Sequence, residues 1–395
     1  MNILLFLSGV FLFTLIVGRF IERLRIPWIF AALLLGTMLS FYNPFSEITS
    51  SPTFDFLAML GMYFLLFVVG LEIDVKKLQK SSGFILKGTV MIIFLEALVG
   101  GVIIHFLFDT SWTLSYIVSL SFATVGEAIL IPILDEFGII NSKLGQSIIG
   151  IGSLDDFIEI FMLIIVAFIA GSSEANYNEV IIILLSLFSI FGMTGLMLYI
   201  HNGHSHKFVF TNVQTTFLLT LFIFSLFVGI GELGHAAPIA AILAGISVRN
   251  FLPGKMFSAI ENEVKSMCYG FFAPIFFLSV GASIDTEFLL AAPMAILIIA
   301  VTSSALKIIG SYMTAHKELG EKQSFLLGVG LSIRFSTSII IVKILLENGL
   351  IDEHLYSAIV ASSIIFQFIV PVLFAVLLKK WMPEVVQGTP KTVSA

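Results

Sequence analysis

Charge is what this sequence most lacks. Only 12% of its 395 residues are Asp, Glu, Lys or Arg, against about a quarter in a soluble domain. Hydrophobic residues make up 58%, and the mean hydropathy is +1.07. A water-soluble globular chain is excluded, and a polytopic membrane protein is left. Cysteine is nearly absent: Cys268 stands alone, which rules out an intrachain disulfide framework and any multi-cysteine metal site. No basic run or basic–aromatic interleaving occurs, which sets nucleic-acid binding aside. A P-loop and low-complexity segments are also missing. The loops are too short for a soluble domain, so no regulatory nucleotide-binding domain is expected in this chain. Asn2–Gly18 has neither a basic n-region nor an A-x-A cleavage site and reads as a retained span.

What is present is a succession of apolar runs. Hydropathy over a window of roughly 19 residues predicts about 13 spans. They are 2–18, 27–42, 53–71, 84–107, 113–134, 144–170, 179–200, 213–231, 236–248, 266–282, 287–313, 323–346 and 355–378; the ninth is short and depends on its neighbours. Of the 20 Lys and Arg, all but Lys307, Arg334 and Lys343 fall in or beside the odd-numbered loops and the C-terminal tail. The even-numbered loops hold none. The positive-inside rule then predicts an outside N-terminus and a cytoplasmic C-terminus. Forty Phe residues read as lipid-facing and packing material, and glycine clusters such as Gly281–Ser283 as helix packing or turns.

Two spans look interrupted. The fifth contains Ala123-Thr124-Val125-Gly126-Glu127 at mid-depth, with Pro132 beyond. The twelfth contains Gly328-Val329-Gly330-Leu331-Ser332-Ile333-Arg334-Phe335-Ser336-Thr337-Ser338. Backbone can unwind in a membrane only where it is buried or lines a cavity. An odd offset of seven crossings gives the two spans opposite orientation, the sign of inverted repeats with a site at the midplane. The predicted fold class is an all-α polytopic membrane protein with inverted repeats and two discontinuous crossing helices.

Glu96, Glu127, Asp155, Asp156, Glu159, Lys307 and Arg334 lie inside spans, where each ionised group costs roughly 2.5–3.5 kcal/mol or more. Asp155 and Asp156, in the sixth span, are the centre of the constellation. Neighbouring helical residues point about 100° apart, so one aspartate can face a cavity while the other meets an adjacent helix. Two carboxylates this close in a low dielectric resist being charged together. A proton and a hard cation such as Na⁺, which also wants oxygen ligands, therefore compete for the pair. Lys307 reads either as a snorkelling side chain or as an ammonium that pairs with an aspartate when the cation is absent. Arg334 needs a partner, Glu127 first and Glu159 second, and reads as a structural clamp at the crossing before direct transport chemistry. Thr124 and Ser153 can add neutral oxygens or serve as helix glue. Glu96 is equally deep and has no assigned partner. Lys343 is expected to snorkel. The loop His201-Asn202-Gly203-His204-Ser205-His206 reads as solvated, with a pH-sensing or weak metal patch as the alternative.

These residues resemble the monovalent cation:proton antiporter family, in its second, bacterial branch. The likeness rests on Phe64-Leu65-Leu66-Phe67-Val68-Val69-Gly70-Leu71-Glu72, Ala123-Thr124-Val125-Gly126, Gly152-Ser153-Leu154-Asp155-Asp156, Pro274-Ile275-Phe276-Phe277-Leu278-Ser279-Val280-Gly281 and Lys307-Ile308-Ile309-Gly310. Of the family's P-R-G-E, Ile333-Arg334-Phe335-Ser336 keeps only the arginine, and Glu127 is unusual. The resemblance implies a homodimer of the bacterial inner membrane in which a core moves against a dimerisation panel. The panel would be approximately 1–82 and 213–284, the core 83–170 and 286–380, and a linker helix 178–200. It implies that Asp156 is the central cation and proton carboxylate, and that Asp155 is the second, partnered by Lys307. The aspartate pair implies charge-moving exchange of about two protons per sodium, each net charge contributing roughly 2.3 kcal/mol per 100 mV.

The expected function is a sodium (or lithium)/proton antiporter, not an enzyme and without cofactor, its Na⁺ held by Asp155 and Asp156. Potassium/proton exchange or K⁺ efflux on the same fold is the nearest rival. Sodium-coupled uptake of an organic anion would need an anion-binding cluster that the sequence does not show. An intramembrane aspartyl protease would need its aspartates on two different spans.

Overall fold

The computed structural model describes residues 2–23, 28–72, 83–121, 125, 134, 137, 139, 142–152, 154, 155, 165, 177–204, 212–234, 236–333 and 336–381. Among them every regular element is a helix. Seven of the described helices are long and apolar enough to cross a membrane: Ile3–Glu22, Pro52–Glu72, Gly83–Phe108, Val213–Leu233, Met256–Ala282, Pro293–Leu319 and Glu353–Trp381. Phe30–Phe41, Leu185–Met197 and Ala237–Phe251 are shorter apolar helices. The predicted number of 13 is not reached by counting, because the fifth and sixth predicted spans lie partly outside the described residues. Helices Trp112–Ser121 and 143–152 with 154 and 155 occupy their starts.

Two elements differ from the hydropathy reading. The span expected at 266–282 begins earlier, as Gly254–Met267, and runs through a π turn at Cys268–Phe272 into Ala273–Ala282. Its first part carries Lys255, Glu261, Glu263 and Lys265, which lower the hydropathy. It is helical because Ile260 and Val264, one turn apart, are both buried. The span expected at 287–313 is two helices, Thr286–Ala291 and Pro293–Leu319. Asp285 caps the first by accepting from Phe288 N at 3.0 Å; Pro293, lacking an N–H, ends that helix and starts the next. The span expected at 323–346 is two helices, Glu321–Leu331 and Ser336–Glu347, as its interrupted centre predicts.

The chain divides into two compact units. The first comprises residues 1–16, 29–73 and 160–283. In it Pro52–Glu72 packs on Ala237–Phe251, and Phe30–Phe41 on Ala273–Ala282. Both pairs meet at a glycine on each side. A Cβ at Gly70 would run into the carbonyl of Ile242, and one at Gly245 into that of Phe67. A Cβ at Gly36 would meet the carbonyl of Leu278, and one at Gly281 that of Leu33. In all four contacts the carbonyl belongs to the residue three before the partner glycine, so one crossing is built twice. The sequence repeats with it. Ala31-Ala32-Leu33-Leu34-Leu35-Gly36 matches Ala240-Ala241-Ile242-Leu243-Ala244-Gly245, and Val69-Gly70-Leu71-Glu72-Ile73-Asp74 matches Val280-Gly281-Ala282-Ser283-Ile284-Asp285. Small residues let backbones approach this closely where lipid offers no hydrophobic drive between helices. Phe64 stacks between Phe224 and Phe272, with ring centroids 4.3 and 4.7 Å away. Arg249 closes the end of Pro52–Glu72 by donating to the Leu71 carbonyl at 2.6 Å, and Lys265 bridges Glu72 and Glu261 at 2.8 Å each.

The second unit comprises residues 17–28, 74–159 and 284–395. Pro293–Leu319 is its central helix, packed on Gly83–Leu95, on Glu321–Leu331 and on Glu353–Trp381. Gly328 lies against the backbone of Lys307 and Ile308. That close approach brings the end of Glu321–Leu331 beside the middle of the central helix.

Gly70→Ala is expected to destabilise the protein by about 1–3 kcal/mol through overpacking, because its neighbour is backbone that cannot rotate away. Gly192→Ala, whose Cβ would meet nothing within 4 Å, serves as the control. Melting of the detergent-purified variants checks it: the first should lose several degrees and the second none.

Candidate functional site

Lys307 sits midway along Pro293–Leu319 and has no exposed surface. Its Nζ donates to the carbonyl of Leu331 at 2.9 Å. Leu331 is the last residue of Glu321–Leu331, and Ser332 and Ile333 after it are not helical. A helix that stops leaves its final carbonyls without intrahelical donors, and these carry the negative end of the helix dipole. The lysine ammonium meets that end. Being buried, Lys307 does not snorkel to an interface.

Asp155 is buried at 2% exposure and ends the described part of the 143–155 helix. Its Oδ2 accepts from the backbone N–H of Val125 at 2.7 Å. Val125 is not helical and lies in the stretch where the fifth predicted span is interrupted. The acid therefore rests on a backbone donor, and the base rests on a backbone acceptor at the break in the twelfth predicted span. Among the described residues, Lys307 and Glu96 are both close enough for their charges to act on Asp155.

Glu96, unassigned from the sequence, gains its partners from the fold. It opens a π turn, Glu96–Gly100, inside Gly83–Phe108, and such turns recur at functional positions. The carboxylate is buried and its Oε1 accepts from Ser303 Oγ. Its own carbonyl accepts from Ser119 Oγ at 2.5 Å. Ser303 is one turn before Lys307, on the same face of the central helix. Beside them opens a cavity of ≈ 10 Å³, whose polar lining is Glu96, Ser119, Thr302 and Ser303. Neither serine was singled out from the sequence; the i, i+4 spacing of Ser303 and Lys307 was the available signal.

Asp156, Thr124, Ser153, Glu127, Glu159 and Arg334 lie outside the described residues, and with them the predicted Glu127–Arg334 partnership. Among the described residues no group of three or more His, Cys, Asp or Glu is arranged to hold a metal ion. Lys343 pairs with Glu347, one turn nearer the helix end, at 3.6 Å, and lies over the Tyr356 ring at 5.9 Å.

Residues 9–380 match the protein family described as "Sodium/hydrogen exchanger, transmembrane". The chain is 26% identical over 372 residues to a Na(+)/H(+) antiporter of Enterococcus hirae, covering 91% of this chain and 94% of that one. It is 25% identical to the Na(+)/H(+)-K(+) antiporter GerN of Bacillus cereus, covering 92% of each. The structure superposes on the sodium proton antiporter MjNhaP1 of Methanocaldococcus jannaschii at pH 8 with a TM-score of 0.60 and 18% identity, over 97% of each chain. The fold is the sodium/proton antiporter fold.

Lys307→Met should leave the Leu331 carbonyl without its ammonium and cost about 1–3 kcal/mol. Lys343→Met, losing a partly exposed ion pair, should cost less than about 1 kcal/mol. Paired melting curves of the two variants in one detergent check the difference.

Proposed function

We propose that this chain, which belongs to the transmembrane sodium/hydrogen exchanger family, is a secondary active antiporter that exports Na⁺ or Li⁺ against inward protons by alternating access. The observation that carries this reading is the placement of Asp155 and Lys307. Two opposite charges are buried in one unit, each on open backbone at a predicted break, and each is within electrostatic reach of the other. A buried acid and base so placed exchange partners at low cost. When Na⁺ arrives at the aspartates, its charge replaces the ammonium, and the site releases protons. When protons return, Na⁺ is no longer held. Cation and proton thus exclude one another, which is the condition for obligatory exchange.

In this reading Asp156 is the central carboxylate and Asp155 the second, with Thr124 and Ser153 as neutral oxygens. Glu127, Arg334 and Glu159 form the structural clamp. The exchange moves net charge, about two protons per Na⁺, so the membrane potential contributes roughly 2.3 kcal/mol per 100 mV. Proton and cation are cargo, and no cofactor is required. The protein is assigned to a bacterial inner membrane, N-terminus outside and C-terminus cytoplasmic, as a homodimer. Its core, approximately 83–170 and 286–380, moves relative to a panel of 1–82 and 213–284, with 178–200 as linker. The clustering of Asp155 and Lys307 in one compact unit supports treating that unit as the ion-carrying body. Exchange of K⁺ is the second reading, favoured by the likeness to a relative whose name includes that ion.

Asp156→Asn should abolish Na⁺-dependent proton movement in proteoliposomes, and retained exchange would remove it from the centre of the site. Lys307→Gln should reduce the charge moved per cycle more than the exchange rate; unaltered electrogenicity would refute its proton role. Measuring Na⁺, Li⁺ and K⁺ side by side at clamped potential decides the cation.

A further inference from the structure

Glu96 is a buried carboxylate that the aspartate–lysine exchange does not use. Keeping such a group out of water is costly unless it is hydrogen-bonded or has work to do. Its surroundings are specific. Ser303 Oγ donates to Oε1, and Ser119 Oγ holds the Glu96 carbonyl at 2.5 Å, where the π turn displaces the helix backbone. The adjoining cavity of ≈ 10 Å³ is about the size of a single water. Lys307 lies one turn beyond Ser303, and the charge of Glu96 reaches Asp155.

We propose that Glu96 is a further proton-carrying residue of the antiporter. The inference rests on the antiport reading above and adds a carrier to it. With Na⁺ absent, Asp155 has the ammonium of Lys307 and Glu96 holds a proton. When Na⁺ binds at the aspartates, Glu96 gives that proton to the cavity water: its O–H bond breaks, a new O–H bond forms on the water, and the hydronium carries the charge away. Ser303 is a positioning residue, since its hydroxyl can donate to Glu96 before and after the transfer. Among the described residues, the charged groups on the elements around Glu96 are Lys307, one turn beyond Ser303 on the central helix, and Asp155, on which the charge of Glu96 acts; Asp156, Glu127 and Glu159 lie outside the described residues. Trp112–Ser121 contributes hydroxyls and Tyr116. On Glu96's own helix, Lys87 and His105 are each nine residues away, about 13 Å along the axis.

Glutamine fills the same volume and accepts the same hydrogen bond, so a merely structural Glu96 would tolerate Glu96→Gln. The test is the null point of exchange in proteoliposomes: the Na⁺ gradient that just balances an imposed pH gradient and potential. E96Q should turn over with one proton fewer per Na⁺ than wild type. E96Q with the wild-type null point overturns the inference and leaves the antiport reading standing. Wild type without Na⁺-coupled proton movement would sink the antiport reading itself. Should E96Q not fold or not turn over, infrared difference spectra on Na⁺ addition decide instead. A protonated-glutamate carbonyl band lost in wild type should pass to the ¹³C-aspartate set in E96D. A glutamate band that persists in E96D, or no loss in wild type, overturns the inference.

Discussion

The structure depends on supplying partners for charges where water is not available. An ammonium or carboxylate inside a bundle is tolerated only when hydrogen-bonded and offset. Side chains alone meet that need poorly, because each new partner brings its own desolvation. A broken helix meets it differently. Its interruption exposes backbone N–H and C=O groups that are already buried and already in need of partners. Lys307 on the Leu331 carbonyl and Asp155 on the Val125 amide each satisfy two demands with one bond. The charge and the break support one another, and among the described residues both charges are anchored on backbone.

That arrangement needs helices placed to within a fraction of an ångström. The second unit achieves it by close approach: Gly328 against the backbone of Lys307 and Ile308, and the π turn at Glu96 fitted to Ser119 and Ser303. The first unit uses the same device, two reciprocal glycine crossings and a stacked phenylalanine column. Its described ionic contacts lie near helix ends: Arg249 on Leu71, and Lys265 with Glu72 and Glu261. The two units thus differ in what their helices carry. One holds charge within its helix packing, and the other is joined by glycine contacts and aromatic stacking.

Much of this was legible in the residue order, and the illegible parts have physical reasons. Apolar runs locate Ile3–Glu22, Pro52–Glu72, Gly83–Phe108 and Val213–Leu233 to within a few residues, because lipid demands both length and hydropathy of a spanning helix. Gly254–Met267 escaped the same test, since half of an amphipathic helix is polar. Pro293 divided a run that hydropathy joined, because hydropathy does not register a missing N–H. The repeat around Gly36 and Gly245, and around Gly70 and Gly281, is too short and too apolar to stand out from its background. It becomes plain only once the crossings show which glycines correspond.

Residue order by itself determined that this chain is a bundle of membrane helices and that ionisable groups lie within it. Placing acids, a lysine and an arginine in apolar runs has a cost that partners or function must offset. Tertiary structure alone decided what those groups hold: Lys307 a helix end 24 residues away in the chain, Asp155 an amide 30 residues away, Glu96 a serine 207 residues away. Burial cost is a property of one residue and its span, so it can be read along a line. A hydrogen bond is a property of two atoms at a set distance and angle, and the bundle has to be assembled before that distance exists.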